Sequence, residues 1–176
     1  MLIGSYILNF AGLFAIIASM LVKGRKMGLI LFLNFCGNAL LGAAYLMSGK
    51  GVNGAISNLF GAVQAIVNYL FEARGKSLPK WLIAVYALGF IGLNLWIGEV
   101  LWISVLAIVA CMCYILKLIQ KSGKAYRFWA LSNSGVWCVY DICSRTYGGL
   151  ITHSVLSVFA VVGMILHDRK TKKSKE

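Results

Sequence analysis

Two asparagines, Asn38 and Asn133, stand 95 residues apart inside uncharged apolar stretches, and a second polar pair, Asn58 and His153, has the same separation. Amides and an imidazole bind by hydrogen bonding, and at membrane depth each is costly unless it meets a partner. Neighbours extend both sets. Asn34, Asn38 and Tyr45 follow i, i+4 and i+11 spacing, and Asn133, Trp137 and Asp141 follow i, i+4 and i+8, so on helices each set shares roughly one face. Such a face could hold a small polar solute by hydrogen bonding and stacking. It could also join helices, since a membrane asparagine bonded to its neighbour contributes about 0.6 kcal/mol. Asn58 lies four residues from Gly54 and Ala62, and His153 four residues from Gly149 and Ser157, so each fits a site wall or a close helix crossing. A histidine with the ordinary pKa of about 6.5 would make such a site protonation-sensitive. Asp141 is the one carboxylate within an apolar run, with Arg145 at i+4, which suits a local ion pair, an entry gate or a proton-coupling acid. The expected solute-binding set is Asn38, Asn133, Asn58, His153, Trp137 and Asn34, with Tyr45, Tyr140 and Asp141 at an outer gate.

The elements that must position these groups follow from composition. The 176 residues are 60% hydrophobic and 12% charged, against roughly 25% charged in soluble domains, so a bilayer is the expected solvent. A spanning helix needs about 20 apolar residues. Ile3 to Val22, Met27 to Gly49, Gly51 to Phe71, Trp81 to Gly98 and Val100 to Leu116 are free of charge; Phe128 to about Ser144 includes Asp141, and Thr146 to His167 includes two histidines. Seven spans are expected, with no soluble domain between them. The basic residues Lys23, Arg25 and Lys26 follow the first run, where a cleaved signal peptide would carry them before it, so the first helix is expected to be retained.

Positive charge orients the chain. With the N-terminus outside and seven crossings, all but Lys50 and Arg145 of the 17 basic residues fall in inner segments or the inner tail, as the positive-inside rule requires. The net charge of +12 is thereby explained without nucleic acid, and the tail RKTKKSK suits anionic headgroups.

The separation of 95 extends beyond the polar pairs. Lys26 to Arg74 aligns without a gap on Lys121 to Arg169, with ten identical pairs, Tyr45/Tyr140 among them, and with Lys50 on Arg145. The first three runs fall on the last three, leaving Trp81 to Gly98 as an odd helix that restores direction between the halves. The expected fold is all-α: a polytopic membrane protein with seven transmembrane helices in a 3+1+3 parallel-repeat arrangement, N-terminus outside and C-terminus inside. Its parts are a first three-helix bundle (1–76), a linker helix (77–98), a second bundle (99–168) and a basic cytoplasmic tail (169–176).

This plan resembles the SWEET sugar facilitators and the PnuC vitamin transporters. The segments NFCGNALLGAAYLMSGKGVNGAISNLF and SNSGVWCVYDICSRTYGGLITHSVL resemble the bacterial inner-membrane YgjV family, and that resemblance covers most of the chain. It implies an integral, multi-pass protein of the cell inner membrane, of unassigned activity. SWEET-like bundles place a solute-binding Asn on the third helix of each triplet; Asn58 matches that type and His153 departs from it. SWEET proteins also use prolines as hinges, whereas the single proline here, Pro79, precedes the fourth helix.

Enzyme and metal readings lack a motif. Cys111 and Cys113 form CMC, whose i, i+2 spacing points apart on a helix, and Cys36, Cys138 and Cys143 have no matching ligand spacing. No HExxH, GxSxG or P-loop pattern occurs. The expectation is no enzyme, cofactor or metal, but a transporter or facilitator of a small polar solute, working by alternating access at a site between two three-helix repeats. The alternative is a non-transporting receptor or partner-binding subunit. The expected partners are the lipid bilayer and a small polar solute, with homo-oligomers left open and nucleic acid excluded.

Overall fold

A computed structural model describes residues 2–23, 26–48, 52–97, 100–145 and 147–167, with their side chains except at 2, 45, 48, 52–54, 56, 97, 144, 147 and 148. Seven helices occupy these residues: α1 (Leu2–Leu21), α2 (Met27–Ser48), α3 (Val52–Ala73), α4 (Lys80–Ile97), α5 (Leu101–Leu118), α6 (Gly123–Ser144) and α7 (Tyr147–His167). The chain is all-helical, and α1, α2, α5 and α7 contain stretches long and apolar enough to cross a membrane. The inner tail, Lys50 and Glu99 lie outside the described residues.

Local chemistry sets the boundaries. The α3 terminus is a Schellman motif: Gly75 N–H bonds Glu72 O, Lys76 N–H bonds Phe71 O, and Gly75 takes φ 63°, a conformation suited to glycine. Pro79 then starts α4, its carbonyl accepting from Leu82 N–H at 3.1 Å. The α6 helix begins five residues before the expected apolar run, because Ser122 Oγ caps Ala125 N–H. Lys124 and Arg127 thus belong to a helix and not to a loop.

The chain divides into two compact units, Met1–Ser19 with Met27–Leu78, and Met20–Lys26 with Pro79–Glu176. In the first, α1 and α2 approach through glycines: a Cβ on Gly12 would lie 2.9 Å from Gly37 O, and one on Gly37 2.5 Å from Ile16 Cγ1. Such small residues let membrane helices pack by backbone contact. Leu59 of α3 fills the space over Gly42, and the Tyr69 ring lies tilted against Phe32 of α2 with centroids 5.7 Å apart. In the second unit, Phe90 of α4 meets Tyr114 of α5 edge-on at 6.2 Å. The end of α1 is held there too: Arg127 Nη1 donates to Val22 O at 3.1 Å, and His167 Nε2 lies 2.7 Å from Leu21 O. These are the carbonyls a helix terminus leaves unmatched, and cationic or imidazole groups suit them.

Candidate functional site

A polar cluster forms where the end of α6 meets the start of α7 in the second unit. Asp141 and His153 are 12 residues apart, but the turn after α6 folds α7 back so that Asp141 Oδ2 lies 2.7 Å from His153 Nδ1. The turn is made by Arg145, the αL cap of α6 at φ 58°, whose N–H bonds Asp141 O and Ile142 O. That conformation takes Arg145 off the helix, where it is exposed. The local Asp141–Arg145 ion pair suggested by spacing is not formed; the carboxylate turns to the imidazole instead.

Two features fix this pairing. Gly149 leaves space for the carboxylate: a Cβ there would run into Asp141 Oδ1. Trp137, one turn before Asp141, stacks on the imidazole with ring centroids 5.5 Å apart and planes 11° from parallel. Tyr140 meets Trp137 edge-on at 5.0 Å. The carboxylate side chain is 5% exposed and the imidazole 23%, so the acid is enclosed while the ring keeps an open edge. An ionised carboxylate only accepts, so with Asp141 charged the bonded proton sits on Nδ1, and Nε2 is the ring nitrogen that the acid does not engage. Cys138 Sγ and Ser154 Oγ approach at 3.8 Å beside the stacked rings, a contact the sequence analysis did not anticipate.

The structure thus unites Trp137, Tyr140, Asp141 and His153 of the expected set and leaves Asn133 apart. Asn133 lies two turns from Asp141 on α6, and its Nδ2 donates to Ala110 O of α5 at 2.7 Å, which is helix-joining chemistry. In the first unit, Asn34 Nδ2 bonds Ser19 Oγ at 2.9 Å and Asn38 Nδ2 bonds Asn34 O at 2.7 Å, so these two amides form a buried chain from α2 to α1. Asn58 is half-buried on α3. The side chain of Tyr45 lies outside what the structure describes. Among the described residues no three His, Cys, Asp or Glu side chains gather as metal ligands would. No protein-family model, curated protein or solved structure matches the chain.

Proposed function

We propose that this chain is a multi-pass inner-membrane carrier or facilitator for a small polar solute, of the YgjV type, with seven spans in a 3+1+3 order and alternating exposure to the two sides. The observation that carries the reading is the Trp137–His153–Asp141 stack. A carboxylate that orients an imidazole, and an indole that covers one ring face, leave a single nitrogen and an aromatic edge for a ligand. A neutral imidazole accepts a hydrogen bond there and a protonated one donates, so solute binding and proton binding are linked at one atom. The bound hydroxyl or amide would approach from the His153 edge, with Tyr140 beside the entrance.

A thermal-shift screen of the purified protein against sugars, vitamins, nucleosides and amino acids tests this, because a ligand of the folded state raises apparent stability. The expected result is a shift that His153→Gln and Asp141→Asn remove and the lipid-facing Val139→Ala keeps, followed by uptake of that solute into proteoliposomes. A shift unchanged in both site variants would sink the assignment. The second reading, a partner-binding subunit that moves nothing, is favoured by the Asn34, Asn38 and Asn133 amides, which bond protein atoms; a verified solute uptake would dismiss it.

A further inference from the structure

Gln64 occupies the middle of α3 and is 0% exposed, yet neither Nε2 nor Oε1 of its amide has a hydrogen-bond partner among the described residues. An amide carries donors and an acceptor that apolar surroundings cannot satisfy, so an unmatched one at this depth is a strong demand for a partner. The α2 side of α3 is defined by Leu59 and Tyr69, which meet Gly42 and Phe32. Helical periodicity puts Gln64 on the other side of α3, in line with Gly61 and Ser57 one and two turns earlier and the buried Asn68 one turn later. The residues 95 positions further on from Gln64 and Asn68 are Phe159 and Gly163, so the amide is peculiar to the first unit.

We propose that Gln64 is a solute contact: its amide takes a neutral group that offers both a donor and an acceptor, a hydroxyl or a carboxamide, admitted with water along the Ser57, Gly61 and Asn68 face of α3. This rests on the carrier reading and gives it a substrate class, uncharged polyols and amides over ions.

The test uses the full chain in proteoliposomes, with its five cysteines replaced by alanine. Gln64→Cys and the lipid-facing control Val63→Cys, whose native side chain is 55% exposed, are treated with a membrane-impermeant methanethiosulfonate. Severalfold faster reaction at position 64 is expected; equal rates overturn the proposal. A second measurement needs no cysteine. Melting of the native chain and of Gln64→Leu is compared with glucose as the polyol probe and nicotinamide as the carboxamide probe. A rise with either probe that Gln64→Leu loses supports the contact. Equal rises in both proteins, no rise in the native chain, or a Gln64→Leu protein that melts well above the native one without solute overturns it, the last because it marks a dry amide that only costs stability. Solute uptake with an unreactive Gln64→Cys would overturn this contact alone, whereas labelling without uptake of any solute would overturn the carrier reading alone.

Discussion

His153 shows what a single side chain gains from its neighbours. It is paired by Asp141 at 2.7 Å and covered by Trp137 at 5.5 Å, so removing the acid takes away the imidazole's bonded partner and removing the indole uncovers its face. A cycle of Asp141→Asn, His153→Ala and the double variant, read by denaturation in detergent, is expected to give a coupling of about 1–3 kcal/mol, below the value of a fully buried pair because the imidazole keeps an exposed edge. A coupling near zero would mean the pair is adventitious. Gly149 belongs to the same unit of chemistry. Since any Cβ there runs into the carboxylate, Gly149→Val should displace Asp141 and lower the melting temperature at least as much as Asp141→Asn does; an unchanged melt would refute the fit. The members of this cluster were legible as individual residues, because a carboxylate, a histidine and a tryptophan stand out in apolar runs. Their partnership was not. Spacing along one helix favoured Arg145 for Asp141 and matched His153 with Asn58 across the repeat, whereas the pairing depends on a tight αL turn that brings α7 back along α6. Gln64 escaped notice for a related reason: a glutamine within an apolar helix looks like any bonded amide until its surroundings are known.

Helices were readable because each is a long apolar run closed by turn chemistry, and Gly75, Pro79 and Ser122 stand where caps belong. The exception is the start of α6. Lys124 and Arg127 looked like loop charges, but Arg127 is 1% exposed and reaches Val22 O, a partner 105 residues away that no local pattern reveals. This contact, with His167 at Leu21 O, fastens the carbonyl end of α1 to the second unit, and Gly163 makes room for it: a Cβ there would lie 2.5 Å from Met20 O. Arg127→Met should therefore lose about 1.5–3 kcal/mol, the range of a hydrogen bond to a charged group, while Lys124→Met on the exposed side of the same turn changes stability little. Limited proteolysis should report the same loss as faster cleavage near Lys23. Equal stability of the two variants would show that the α1 terminus is not held by Arg127. Packing of α1 on α2 is governed instead by Gly12 and Gly37, which do not stand out beforehand because glycine is common throughout this chain.

At the scale of the molecule, the outward faces are those of a protein in lipid. Ile3, Tyr6, Ile7, Phe10 and Phe14 form an exposed stripe along α1, and Trp81, Trp96 and Trp102 are exposed near helix ends, where indoles suit the membrane interface. The other three helices differ for identifiable reasons: α3 carries Asn53, Asn58, Gln64 and Asn68, α6 contains Lys124, Arg127 and Asp141, and α4 is apolar but short. Two topologies therefore compete, seven crossings or four by α1, α2, α5 and α7 alone. Charge separates them. With four crossings and the N-terminus outside, Arg74, Lys76, Lys80 and the basic tail would all lie outside, against the positive-inside rule; with seven, only Lys50 and Arg145 do. Reporter fusions decide the matter, because the two topologies disagree at three sites. With seven crossings, alkaline phosphatase is active when fused after Arg145 and inactive after Gly75 or at the C-terminus, and green fluorescent protein gives the opposite pattern. Four crossings from an outer N-terminus invert all three results. The seven-crossing outcome would put the Trp137–His153 edge near the outer ends of α6 and α7, and Gln64 about 18 Å along α3 from that helix's own outer end, at 1.5 Å per residue.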